Sequence, residues 1–407
     1  MKMMLTFLWI ALTLLSSCSK HDDEVNLLSG PPKLEVVWRT SLLENKRLRM
    51  SSINPVMYKD VVVFSSDRVV NTVRSPVVFL DTATGEIRDY WTDFSDGPFT
   101  YLDESMAHEG QYLFLSGQRS VDCINMETHQ TQWHGPAGDN SPLIYVSDGF
   151  LYRGFEYDGM NPTNNSAAIM RTPVDSRDWD TVYAFTRTDR YKPGFDSMGF
   201  GTLTNGDEVV VWKNRSITGS SDRTDIFAYN LTADTLLWRN MDFVEGSGVI
   251  PLKVERGVVY GLLRNHAVAL DLATGNTIWS QDFNSVKASF PLQFYEGDFY
   301  INGNTMLIKG PAHEIMGLSI EDGSISWLRK DLDFGIEDRF TYFEGKLFFT
   351  TTELAVIDVH TGERVLESSR VEHLGNLEGR VTIDPIRRVM YMNNGLEALC
   401  VKIPDDI

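Results

Sequence analysis

The chain has 407 residues, 42% of them hydrophobic and 23% charged, an ordinary globular balance with length enough for a large core. Lys and Arg total 37 against 56 Asp and Glu, a formal charge of −19. Nucleic-acid binding relies on clustered cations displacing phosphate counterions, so this balance excludes a broad nucleic-acid surface. The acidity itself reads as solubility.

At the N-terminus, Lys2 precedes an almost unbroken apolar run of 13 residues, Met3 to Leu15. Spanning a bilayer takes about 20 apolar residues, so residues 1–17 read as a signal peptide. The run ends in Leu15-Ser16-Ser17-Cys18, which resembles the bacterial lipobox. That resemblance implies a lipoprotein acylated at Cys18, palmitate included, and anchored in the outer membrane. Losing Lys2 with the leader takes the formal charge from −19 to −20. The acidic run Asp22-Asp23-Glu24 resembles the surface-export signal of Bacteroidota lipoproteins, although a solvated tether is the other reading. Residues 18–33, with Gly30-Pro31-Pro32, are expected to form the lipidated flexible tether, and residues 34–407 a single domain.

Internal repetition organises that domain. Its cleanest copy is Ala269-Leu270-Asp271-Leu272-Ala273-Thr274-Gly275-Asn276-Thr277-Ile278-Trp279. Phe79 to Gly85 and Val356 to Gly362 repeat its first part, and weaker copies end at Trp133, Trp238 and Trp327. An Asp or Asn side chain can accept hydrogen bonds from backbone N–H groups two or three residues on. Glycine then supplies the positive φ that a tight hairpin needs. The tryptophan on the following strand buries a large apolar surface while keeping one N–H to satisfy.

Seven of the nine tryptophans fit the repeat as blade-docking residues: Trp38, Trp91, Trp133, Trp179, Trp238, Trp279 and Trp327. Their successive gaps are 53, 42, 46, 59, 41 and 48 residues. Leu366 stands where an eighth is expected, four residues after Gly362. Eight such positions predict an all-β, eight-bladed propeller of four-stranded antiparallel blades. Leu34 to Trp38 is a docking strand with nothing before it, and Leu396 to Cys400 a third strand with no fourth after it. Pairing them predicts a ring closed by the N-terminal strand on the last blade, with no open edge.

The motif resembles that of the quinoprotein-like (PQQ-like repeat) propellers over roughly residues 34 to 403. That family includes alcohol dehydrogenases using pyrroloquinoline quinone and the non-enzymatic propeller lipoprotein of the outer-membrane barrel-assembly machine. Three copies depart from the pattern. Asp89 occupies the tryptophan slot of blade 1, blade 3 lacks the Thr-Gly turn, and blade 8 has Cys400 where Asp is usual. They leave the blade count open by one.

The enzymatic members hold their quinone with a disulfide between adjacent cysteines, which this sequence lacks. Cys123 and Cys400 are expected to be buried free thiols, being far apart in the repeat order. Asp81, Asp271 and Asp358 share one motif slot and read as turn caps rather than acid–base catalysts. His129 and His134 are five apart across a predicted turn, so no metal site is assigned. No cofactor and no catalytic residue are expected.

Function on such a scaffold belongs to loops. Loops joining first to second and third to fourth strands share one face and are short, as at Glu109-Gly110, Arg256-Gly257, Glu344-Gly345 and Thr361-Gly362. The opposite face is expected to carry irregular segments at Tyr157 to Asn165, Thr186 to Asp196, Arg215 to Arg223 and Asn302 to Ala312. Tyr157, Arg187, Arg190, Tyr191, Lys192, Phe195 and Arg215 are the candidate binding residues, because Arg and aromatic side chains dominate interface hot spots. Residues 171–223 hold eight basic and eight acidic side chains, so the patch is neutral against an acidic background. The expectation is a monomeric, non-catalytic scaffold presenting this face to a protein or glycan partner. A quinoprotein-like or carbohydrate-active enzyme is the alternative.

Overall fold

The computed structural model describes residues 32–42, 54–64, 77–95, 106–116, 120–136, 143–156, 166–186, 193–218, 221–243, 252–263, 266–283, 299–309, 314–330, 340–350 and 353–407. Cys18, the leader and most of the tether lie outside them. Residues Leu34–Ile407 form one compact unit, separate from Met1–Lys33.

Eight antiparallel sheets follow along the chain as blades 1 to 8, at residues 56–91, 106–136, 144–186, 193–243, 253–282, 299–329, 341–358 and 378–402. Strands pair in sequence order within each sheet, so every blade is an up-and-down meander. The ring closes as the sequence predicts. Val36–Ser41 pairs with Glu397–Lys402, Trp38 facing Cys400 and Ser41 facing Glu397. Strands such as Val61–Phe64 and Leu354–Asp358 are buried almost throughout. Neighbouring blades cover both of their faces, so they read as continuous apolar runs rather than alternating ones.

The repeated turn works by capping. Asp271 Oδ1 accepts the Thr274 N–H at 2.8 Å, and Asp81 Oδ1 accepts those of Ala83 and Thr84 at 2.8 and 2.9 Å. Asp358, Asn125 and Asn230 accept in the same way. The caps free the glycine to pass at φ +72 in Gly275, flat against the indole of the preceding blade. A β-carbon on Gly275 would stand 2.5 Å from the Trp238 ring. Trp38 lies over Gly85, Trp279 over Gly323 and Trp327 over Gly362 in the same way. The indole N–H completes the joint by donating to the carbonyl three residues before the glycine. Trp238 reaches Leu272 O and Trp279 reaches Ile320 O, both at 2.8 Å, and Trp38 reaches Thr82 O at 3.1 Å.

Where the glycine carries a side chain, the incoming indole is gone or displaced. His129 takes the glycine slot of blade 2 at φ 58, and the facing slot in blade 1 is Asp89. The imidazole stacks on Phe79 at 4.3 Å and lies 3.4 Å from the Asp89 carboxylate, filling the wedge. Trp91, two residues further on, donates to Thr131 Oγ1 at 2.9 Å. In blade 4 the slot is Asp234, also at positive φ. The facing strand of blade 3 presents Tyr183 and Phe185, which pack on Trp212 of blade 4 at 5.6 and 5.8 Å. Trp179 is not on that strand. It precedes Asp180–Thr186, sits in the turn of blade 3 and packs back on blade 2 beside Trp133 and Gly135. A repeat spacing counted from the tryptophans alone mistakes this turn residue for a docking one.

Blade 7 differs from the four-stranded expectation. Among the described residues it has three strands, and a single bridge, Ile357 to Arg364, begins the fourth. Leu366 still fills the docking slot, fully buried with Leu34, Leu374 and Val401. The chain then folds into two short 3-10 turns, Ser368–Arg370 and Glu372–Leu374, that clasp the ring closure. Arg370 O accepts the Leu34 N–H at 3.0 Å, and His373 Nε2 lies 3.0 Å from Leu34 O. The buried Arg370 guanidinium holds Asp406 through two bonds of 2.8 and 3.2 Å. Cys123 and Cys400 are buried free thiols, and burial pushes Cys400 up to about 12.

Candidate binding face

Blade 4 is built differently from the rest. Its strands, Pro193–Thr202, Glu208–Thr218, Ser221–Asn230 and Thr235–Phe243, run nine to eleven residues, against three to eight elsewhere among the described residues. Its short turn keeps the common register, since the Leu231 N–H bonds Glu208 O as the Leu272 N–H bonds Gly257 O in blade 5. The extra length therefore lies at the opposite end, on the face where second strands meet third strands. About five residues beyond the usual end extend the sheet by roughly 16 Å.

This changes two expected loops. Arg215 to Arg223 is a long paired hairpin, with Arg215 opposite Thr224 and Ile217 opposite Asp222, and only 219–220 at its tip lie outside the described residues. Its polar side chains hid the strand, because no apolar alternation marks it. Asn302 to Ala312 is likewise no open loop. Gly303 turns tightly at φ 59 and Thr305–Lys309 is the second strand of blade 6.

Of the candidate residues, Tyr157, Arg187, Arg190, Tyr191 and Lys192 lie outside the described residues. The strands that flank them are described. Phe150–Glu156 ends just before Tyr157, Asp180–Thr186 ends before Arg187, and Pro193–Thr202 starts after Lys192. In an up-and-down meander all these ends belong to one face. Phe195 and Arg215 stand on neighbouring strands there, Phe195 opposite Asn214 and Arg215 opposite Gly194.

Beneath this end lies an aromatic block between blades 3 and 4. Trp212 and Phe227 stack at 5.2 Å with planes 4° apart, and Phe185 meets both edge-on. Above them the interior turns polar, with Lys213, Asn214, Thr224 and Asp225 all buried. Arg239 donates to Asp225 at 2.7 Å while lying 4.9 Å over Phe227. Sequence reasoning missed this polar band, for which the only signal was charge interrupting a strand. Gly199 and Gly201 are no phosphate loop. A β-carbon on Gly201 would come within 2.4 Å of Val254, so both glycines let blade 5 close in.

Two features lie elsewhere. At the blade 3–4 seam, hydrogen bonding to Asp148, then burial, hold the Glu208 carboxyl above its ordinary range. On the wall of blades 2 and 3, Asp93, Thr131, Gln132, Trp133, His134, Asp175, Ser176 and Arg177 line an open cavity of about 530 Å³. Among the described residues no three His, Cys, Asp or Glu side chains converge as a metal cage.

Residues 222–396 match the family profile described as outer membrane protein assembly factor BamB. BamB of Yersinia pestis is 23% identical over 354 residues, 79% of each chain. The solved BamB of Moraxella catarrhalis superposes with a TM-score of 0.56 at 11% identity, over 91% of this chain and 98% of that one. This chain is a PQQ-like propeller that resembles BamB. The fold is also that of quinohemoprotein alcohol dehydrogenase from Comamonas testosteroni, with a TM-score of 0.63 at 10% identity over 92% of this chain and 78% of that one. The matched span of the BamB-like propeller runs from the blade 4 hairpin to the third strand of blade 8, where the turn motif is most regular. Blades 1 to 3, where Asp89, His129 and Trp179 break the motif, fall outside it.

Proposed function

We propose that this BamB-like propeller is a non-catalytic outer-membrane lipoprotein, held through Cys18, that offers the long-loop face of blades 3 and 4 to a partner. The extended sheet of blade 4 carries the reading. A rigid sheet over an aromatic block is a better platform for binding side chains than free loops are. Tyr157, Arg187, Arg190, Tyr191, Lys192, Phe195 and Arg215 are the proposed contacts, and the partner is a protein or a glycan. The likeness to an outer membrane protein assembly factor favours a protein partner in outer-membrane assembly. The quinone-enzyme alternative has no residue in its favour, since Cys123 and Cys400 stand in different blades and the turn carboxylates are occupied as caps.

The test is crosslinking in cells with the full-length lipoprotein, followed by identification of the captured neighbour. Arg190→Ala and Tyr191→Ala are each expected to reduce capture about tenfold or more, the loss of a hot-spot side chain. Full capture by the double variant would remove this face from consideration. Cys18→Ala is expected to release the protein from the membrane fraction.

A further inference from the structure

The seam between blades 1 and 2 lacks the indole wedge and carries two His–Asp contacts instead. The second of them opens onto the 530 Å³ cavity. Asp122 is buried at 2% exposure and lies 2.8 Å from His134 Nδ1. A carboxylate can only accept, so this nitrogen carries the ring's proton. Nε2 of the neutral ring is then a lone pair directed at Asp93 Oδ2, 3.3 Å away. Acceptor faces acceptor unless a proton or a cation lies between them.

We propose that this pair binds a divalent transition-metal ion of the zinc class, with His134 Nε2 and Asp93 as its protein ligands. Two ligands each about 2.0–2.1 Å from a tetrahedral ion stand about 3.3 Å apart, the separation seen here. A metal-binding histidine characteristically donates its other N–H to a carboxylate, which fixes the ring and raises its basicity. Asp122 does so from the interior. Asp93 is oriented in turn by Thr131 Oγ1, which donates to it at 2.7 Å and accepts the Trp91 indole N–H at 2.9 Å. The cavity gives the ion a path in, and water or Asp175 across the cavity completes its coordination. Asp93 follows the outer strand of blade 1 and His134 sits on the outer strand of blade 2. The ion would staple the blade junction whose tryptophan slot holds Asp89.

Zinc titration of the metal-stripped, full-length chain by calorimetry tests this, with X-ray absorption at the zinc edge on the loaded protein. One ion per chain is expected, with an imidazole nitrogen at about 2.0 Å. Binding should weaken about tenfold or more in His134→Ala and in the exposed Asp93→Asn. It should weaken about 10–100-fold in Asp122→Asn, which keeps the shape but loses the charge behind the ring. His129→Asn, at a positive φ that Asn tolerates, should bind as wild type. Melting curves without metal establish that each variant is folded. No saturable binding, or binding unchanged in folded His134→Ala and Asp93→Asn, would overturn the site. The contact would then be a protonated imidazole paired with Asp93.

Discussion

Trp279 and Trp327 occupy the same slot in blades 5 and 6, yet their indole N–H groups meet different surroundings. That of Trp279 donates to Ile320 O at 2.8 Å, whereas that of Trp327 is buried without a partner, against Gly317. Trp279→Ala is expected to cost about 3–5 kcal/mol, the range for emptying a large aromatic site. Trp279→Phe leaves the Ile320 carbonyl without its donor and should cost about 1 kcal/mol more than Trp327→Phe. Urea unfolding of the four proteins would measure both differences. Carboxylates set the pH response at this scale, in two directions. The Arg88 guanidinium beside Asp81 holds its carboxyl at about 2. That contribution is present above the ordinary aspartate value and is lost as pH falls toward 2. Glu208 is raised by Asp148, so its contribution is present below the ordinary glutamate value and is lost as pH rises through the raised one. Glu208→Gln should therefore raise the melting temperature near pH 7 and have little effect near pH 4, as melts at the two pH values would show.

At the scale of elements, the turn motif was legible because its chemistry is local. An Asp or Asn cap, a glycine and an aromatic residue fall within eleven residues of sequence, and their geometry follows from backbone rules alone. What was not legible depends on pairs far apart in the chain. His129 fills the space of an absent indole only because Asp89 stands opposite, 40 residues earlier, and no local pattern couples the two. The blade 4 hairpin was unreadable for another reason. Lys213, Asn214, Thr224 and Asp225 are buried polar residues, so the alternation that reveals a strand is missing. The closing strand yields a direct test. Trp38 pairs with Cys400, whose thiol is fully buried. Removing residues 1–42 should expose Cys400 to a thiol reagent while Cys123, buried in blade 2, stays silent. If Cys400 also stays silent in the folded truncated protein, the N-terminal strand does not cover it.

For the whole molecule, one property follows from how the circle is completed. The strand at 36–41 leaves the ribosome near the beginning of synthesis, and its partner at 397–402 near the end. Until that last segment arrives, blade 8 lacks its outer layer and blade 1 lacks the Trp38 wedge that locks Gly85 in place. Contacts of such large sequence separation form slowly and leave apolar edges uncovered in the meantime. The chain thus has a built-in dependence on whatever shields unfinished sheets after export, and slowing its delivery across the inner membrane should lengthen its exposure to proteases in proportion.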